Sequence, residues 1–452
     1  MELKRDIYQD LLTWKKDNSG HVLELRGARQ VGKTFILDKF ARENYSQYIY
    51  INMVQSSGRR FLACYKEATA WKPGMPQKEH ELQEAFRLFD ADFKDVLDTI
   101  VVIDEIQESP EVFSLIRQFA REFTCHFVVT GSYLGKTLSR EYFQPMGDLD
   151  ILEMYPLTFR EFLEAVGKAA DYDSISLTGE SEHKEYDALK QYYELYCKIG
   201  GYPSVVTKYL ETELIEEAQQ EIQRIVQIFI DESEHHFKSI LEMNVFEQTF
   251  AAIAQTMVRE KKGSGNLIEE LAGIVGRDDT SSITKKSISQ AISWLYRSHI
   301  IGYCGQAAEC DPLNTSMNRR FYFMDLGIAK AFLSMSGADA ATVRGLLNEN
   351  FVYIDLLKRS LRRELTWLQP MFGTYKNGEI DFFVRNLHTD QNYGVEVKTG
   401  RNAGKTAQQL LKDHKVEAVY FLKGDTYGGR EDKMLTVPVY LAGRVEYNFI
   451  AK

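Results

Sequence analysis

The sequence predicts an α/β fold: a parallel sheet wrapped by helices over the first third of the chain, and a second α/β domain at the other end. Three observations predict it. Apolar runs of strand length alternate with amphipathic runs across residues 1–155. A glycine-bearing loop, Gly27 to Thr34, stands where a strand gives way to a helix. A later apolar run, TIVVID, ends in Asp104 and is followed at once by Glu105.

In the first of these elements Val22, Leu23 and Leu25 read as a strand, and Phe35, Ile36 and Phe40 recur at helical spacing. Between them GARQVGKT fits G-x-x-x-x-G-K-[ST]. Glycines let the backbone curl so that successive N–H groups and the helix N-terminus face phosphates. Lys33 reaches the β- and γ-phosphates, and the Thr34 hydroxyl holds Mg²⁺. The expected nucleotide contacts run through Gly27, Ala28, Arg29, Gln30, Val31, Gly32, Lys33, Thr34 and Phe35.

YIYINMV reads as the next strand and ELQEAFRLFDADFKDVLD as an amphipathic helix before the acid-tipped strand. At that strand's end Asp104 is placed to order Mg²⁺ and its water, and Glu105 to orient or deprotonate the attacking water. HFVVTGS follows, with Thr130 and Ser132 offering a hydroxyl beside the γ-phosphate from the adjacent strand; capping of the next turn is the alternative role. LDILEMYP closes a set of five strands and leads into PLTFREFLEAV, a helix with its own start signal. The ATPase-like part is expected to span residues 1–165.

The chain of 452 residues is long enough for two to four domains. Hydrophobic residues make up 44% and charged residues 27%, and no apolar run approaches membrane-spanning length. With no apolar leader in MELKRDIYQDLLTWKK, a cytoplasmic home without membrane contact is expected. Five cysteines without a CxxC fit reduced thiols better than a disulfide framework or a zinc site. The net charge of −10 is carried ahead of Phe321, whereas the remainder is mildly basic, compatible with phosphate contacts or with an ordinary solvated surface.

KAADYDSISLTGESEHKEYD reads as a polar loop, and helical patterning resumes at ALKQYYELYCKI. Gly200, Gly201 and Pro203 break it before a long amphipathic run from Leu210 to Met257. Residues 186–257 are therefore expected to form a helical lid. Residues 258–310 read as a winged helix-turn-helix-like module that turns Lys285, Lys286 and Ser289 towards a DNA groove. Its small net charge keeps a second reading open, a rigid spacer or protein-contact module.

Over residues 320–452, RFYFMDLGIAKAFL reads as strand then helix, and a longer helix carries Glu349. GEIDFFVRN and NYGVEVKTG read as a hairpin, with Glu396 and Lys398 facing one side and Val395 and Val397 facing the core. Asp381 is expected across from them. Convergent carboxylates can hold Mg²⁺, and a lysine beside them can stabilise charge developing on a phosphodiester.

GARQVGKT, VVIDEIQ, VTGS, YPLTFREFL, GGYP, FYFMDLGIA, NENFV, GEIDFF and VEVK occur in this order. The chain thereby resembles the AAA-type P-loop ATPases of bacteria and archaea that carry a C-terminal domain of unknown function with a restriction-endonuclease-like fold. The resemblance implies ATP binding through Gly32, Lys33 and Thr34, Mg²⁺ and hydrolysis through Asp104 and Glu105, and a sensor role for Ser132. It further implies a PD-(D/E)xK-type core at Glu349, Asp381, Glu396 and Lys398. One departure is Gly147-Asp148 where relatives often have Gly-Arg; it leaves the arginine finger unassigned between Arg140 and Arg160. Two functions are expected from this: an ATPase coupled to a nuclease-like domain acting on DNA, or an ATP-driven switch, able to oligomerise, whose C-terminal fold binds a partner or nucleic acid without cutting.

Overall fold

The computed structural model describes residues 2–70, 80–132, 147–237, 245–259, 269–271, 273, 285–365, 369–398 and 404–449. The chain divides into two compact units. One holds Arg5–Tyr155 with Arg297–His299, and the other Pro156–Tyr296 and Ile300–Lys452 with Met1–Lys4.

In the first unit α1 (Ile7–Asp17) precedes β1 (Val22–Arg26), α2 (Lys33–Asn44), β2 (Gln47–Asn52), α3 (Ser56–Thr69), α4 (Glu81–Phe89) and β3 (Thr99–Asp104). Then come α5 (Pro110–Ser114), α6 (Ile116–Glu122), β4 (His126–Thr130) and β5 (Leu149–Glu153). All strand pairs are parallel, in the order β2-β3-β4-β1-β5. The polar-tipped strand β4 lies between the strand before the glycine loop and the acid-tipped strand. Parallel strands are covered on both faces, and β3 and β4 are accordingly buried at every position. One face packs Phe61, Phe86, Phe93, Phe119 and Phe127 into a single aromatic cluster, in which Phe119 and Phe127 stack at 4.6 Å.

The second unit begins with α7 (Phe159–Ala165), whose Thr158 and Glu161 form a capping box, and α8 (Ala169–Ser174). The polar stretch read as a loop thus contains a helix, because Ala169 and Tyr172 bury one side of it. Helices α9 (His183–Ile199), α10 (Pro203–Thr212), α11 (Ile215–Phe237), α12 (Val245–Arg259) and α13 (Lys285–Arg297) follow. Most of LIEELAGIVG and the start of SITKKSISQ lie outside the described residues.

Next come β6 (Ile301–Ala308), β7 (Thr315–Phe323), α14 (Leu326–Met335) and α15 (Ala340–Leu361). After them stand β8 (Met371–Tyr375), β9 (Gly378–Asn386), β10 (Gln391–Lys398), α16 (Lys405–Lys412), β11 (Ala418–Lys423), β12 (Gly429–Glu431) and β13 (Met434–Pro438). The eight strands make one sheet in the order β12-β13-β11-β10-β9-β8-β6-β7. The strand read as a wing, β6, pairs with β7 antiparallel and with β8 parallel. It therefore belongs to the C-terminal sheet, and the boundary expected between 310 and 320 falls within its hairpin. Within this sheet α15, the antiparallel β8-β9-β10, α16 and the parallel β11 form a helix, three strands, a helix and a strand.

The GGYP and FYFMDLGIA motifs meet inside this unit. Asp325 caps α14 by accepting from Ile328 N at 3.0 Å, and its other oxygen accepts from Gly201 N at 2.7 Å. Gly200 has φ 71, and a Cβ on it would lie 2.2 Å from Asp325 Oδ1, so only glycine fits this approach.

Candidate functional site

The strand before the loop ends at Arg26 and α2 starts at Lys33, so the intervening residues turn from strand to helix. Positive φ at Gly27 (148°), Gln30 (65°) and Gly32 (98°) gives the loop its curl. Arg5 donates to Val31 O at 2.9 Å and to Tyr155 O at 2.5 Å, fastening the loop to the end of the sheet. A Cβ on Gly27 would stand 2.1 Å from Met154 O. Gly27→Ala is therefore expected to destabilise this unit by about 2–3 kcal/mol, read as a lowered midpoint of thermal unfolding.

Lys33 is buried, and its Nζ donates to Gly27 O at 2.9 Å and Ala28 O at 2.8 Å. Burial pulls its pKa down to about 8, against the opposing pull of Glu105 and Asp104. Thr34 Oγ1 donates to Asp104 Oδ2 at 2.9 Å, joining the loop to the acid-tipped strand across 70 residues of sequence. The other Asp104 oxygen accepts Glu105 N–H at 2.8 Å. Phe35, by contrast, stands 59% exposed on the first turn of α2.

Glu105 takes a left-handed φ of 52°, a strained conformation for its residue type, and this turns its side chain off the strand axis. Its carboxylate accepts from Gln107 Nε2 at 2.5 Å, from Ser132 Oγ at 3.3 Å and from Ser132 N at 3.4 Å. The structure thus brings Lys33, Thr34, Asp104, Glu105 and Ser132 to one end of the sheet. Thr130 is separated from them in role: its hydroxyl is buried and donates to Leu25 O at 2.8 Å.

Sequence reasoning missed Tyr50 and Gln107. Tyr50 donates to Asp104 Oδ2 at 2.7 Å. Gln107 stood in plain view within VVIDEIQ, two residues after Glu105 and able to reach back to it. Asp148, the departure at the Gly-Arg position, is buried and ion-paired with Arg117 and Arg121, each at 3.0 Å. It ties α6 to the start of β5. Arg160 forms a two-pronged pair with Asp173 at 2.9 and 2.6 Å, and Arg140 lies outside the described residues.

In the C-terminal sheet, Glu349 on α15, Asp381 on β9 and Glu396 on β10 are electrostatic neighbours. The Asp381 carboxyl is pushed well above the usual range by burial and by the Glu349 and Glu396 charges. They do not gather as a metal cage: among the described residues no three His, Cys, Asp or Glu side chains are arranged to hold an ion. Other groups engage them. Glu349 accepts from Tyr322 OH at 2.6 Å and lies 3.7 Å from the Arg320 guanidinium, which also pairs with Glu379. Asp381 Oδ2 accepts from Val397 N at 2.7 Å. The expected facing on β10 is also corrected, since Glu396 is more buried than Val397. Lys398 closes β10, and its side chain lies outside the described residues.

Comparison with known proteins agrees with this geometry in the first part of the chain. Residues 19–163 match the family model described as AAA domain, and residues 190–339 match a domain of unknown function, DUF8612, which ends before Glu349. No curated protein matches. Among solved structures, the Walker-type ATPase PABY2304 of Pyrococcus abyssi is 15% identical, covering 73% of this chain and 96% of its own, at a TM-score of 0.45. The Aeropyrum pernix ORC1 protein in complex with DNA is 13% identical over 77% and 94%, at 0.30. The Thermotoga maritima RuvB Holliday junction branch migration motor is 14% identical over 66% and 89%, at 0.31. Likenesses this loose carry no argument about function. No described helix is long and apolar enough to cross a membrane. The loop, the acid-tipped strand and the family match together identify residues 19–163 as an AAA-type ATPase-like domain.

Proposed function

We propose that this chain binds ATP with Mg²⁺ and hydrolyses it at the end of the five-stranded sheet. The observation that carries the reading is the Thr34–Asp104 hydrogen bond, which places a loop hydroxyl and a strand carboxylate where one cation can meet both. A hydroxyl and a carboxylate are hard oxygen donors, and this set suits Mg²⁺. When bound, the ion would neutralise charge on the β- and γ-phosphates. Lys33 holds the phosphates. Glu105, turned off the strand by its left-handed backbone and braced by Gln107 and Ser132, is the base for the attacking water.

For the C-terminal sheet two readings follow from its nuclease-like order of elements, with DNA the favoured nucleic acid. One is a metal-dependent nuclease coupled to ATP; the other is a non-cleaving domain that binds DNA or a partner. Arg320 favours the second, because its guanidinium already neutralises Glu349 and Glu379 beside Asp381. The test is incubation of supercoiled plasmid and single-stranded DNA with Mg²⁺ or Mn²⁺, with and without ATP, for wild type, Lys398→Ala and Lys33→Ala. The binding reading expects tight nucleotide binding with slow ATP turnover in the wild type and no cutting. Cutting that Lys398→Ala abolishes would establish the nuclease instead.

A further inference from the structure

One donor at the nucleotide site has no part in the reading above. Tyr50 lies on β2, the edge strand beside β3, and pairs in register with Val102, while Asn52 pairs with Asp104 itself. Side chains two apart on a strand share a face, so Tyr50 and Asn52 both project on the side where Asp104 emerges. The Tyr50 hydroxyl donates to Asp104 Oδ2 at 2.7 Å, the oxygen that also receives Thr34 Oγ1. Asn52 Nδ2 donates in turn to the Tyr50 oxygen at 3.3 Å, which orients the phenol. Burial, together with the Asp104 charge, raises the Tyr50 pKa, so the group remains a proton donor throughout the physiological range.

We propose that Tyr50 is a positioning residue for Asp104, fixing the carboxylate that meets Mg²⁺; this rests on the ATP–Mg²⁺ reading of the site. Thr34 and Tyr50 share one acceptor oxygen but differ in what else they serve. On the ATP–Mg²⁺ reading the Thr34 oxygen meets the metal through a lone pair while its O–H still donates to Asp104, so that bond belongs to the loop and its ligand; the Tyr50 hydroxyl holds the same oxygen from the sheet itself. Its bond, with the Glu105 N–H on the other oxygen, holds Asp104 at both carboxylate oxygens.

The test measures binding, not turnover. Fluorescent ADP and ATP analogues are titrated into the full-length wild type, Tyr50→Phe and Tyr48→Phe, in EDTA and across a Mg²⁺ series. Tyr48→Phe is the control, since it removes a hydroxyl two residues away on the same strand. Tyr50→Phe should bind nucleotide in EDTA within about twofold of wild type and melt at a similar temperature. Its midpoint for Mg²⁺-dependent tightening should rise about tenfold or more, as expected for loss of one hydrogen bond to a charged acceptor. Tyr48→Phe should leave that midpoint in place. Equal Mg²⁺ midpoints in wild type and Tyr50→Phe would overturn the positioning role alone. A wild type that binds no nucleotide under any condition, indistinguishable from Lys33→Ala, would overturn the nucleotide reading and this role with it.

Discussion

Lys33→Ala is expected to weaken ATP binding at least about a hundredfold and to bring hydrolysis to background, the loss of a buried charge-assisted contact worth about 3 kcal/mol. The burial that makes this lysine effective also makes it sensitive to pH. Its pKa is held near 8 by burial, and the negative phosphates of a nucleotide would draw it back up. The free protein therefore loses the Lys33 proton at a lower pH than the complex does. Below about pH 7 affinity should be flat with respect to this group. Above about pH 8 it should fall as pH rises, up to tenfold per unit, and binding should take up close to one proton. Calorimetry in two buffers of different ionisation enthalpy measures that uptake directly. Lys33→Arg, which stays charged, should abolish both the uptake and the pH dependence; an unchanged profile in that variant would assign the titration to another group.

The glycine loop and the acid-tipped strand were legible because their chemistry is local. Gly27, Lys33 and Thr34 lie within one turn of chain, and Asp104 and Glu105 are consecutive, so spacing alone reports their geometry. The five-stranded order was legible for a related reason: each strand announces itself as an apolar run. What could not be read was partnership at a distance. Tyr50 looks like any aromatic on a β-branched strand until β2 and β3 are set in register. Arg320 stands 29 residues before Glu349 and 59 before Glu379, and only the eight-stranded sheet brings it among the carboxylates. The same limit explains the facing of Glu396. Alternation predicts that valines turn inward, but β10 packs against both α15 and α16, so a buried position falls to the glutamate as well. By sequence β6 reads as the wing of the preceding helices and β7 as the start of another domain, because sequence shows a strand's length and not its neighbour. The helix at Ala169–Ser174 was lost among polar residues because two buried side chains suffice to hold one short turn.

Asp325→Ala is expected to cost the second unit about 3–5 kcal/mol, because one carboxylate serves two elements that are far apart in sequence. It caps α14 through Ile328 N and receives Gly201 N from the GGYP turn. Truncation leaves a helix cap empty and a buried N–H unpaired, and each loss carries about 1–2 kcal/mol or more. The group is also a titration site. Burial raises its pKa to about 6, against the opposing effect of the N–H groups it accepts from. Since the folded state binds this proton more tightly than the unfolded chain, whose carboxyl titrates near pH 4, the sign of the linkage is fixed. The contribution is most favourable below about pH 4 and declines as pH rises to about 6, by about 3 kcal/mol over that span. Hydrogen exchange at the Gly201 and Ile328 amides should therefore quicken from pH 4 to pH 7, after correction for intrinsic rates. Asp325→Asn should remove that extra pH dependence while still losing one acceptor, since its amide nitrogen cannot accept from Gly201 N. If protection in the wild type does not change with pH, the carboxylate is better stabilised by its N–H partners than its burial suggests, and the GGYP turn is held without a titrating latch.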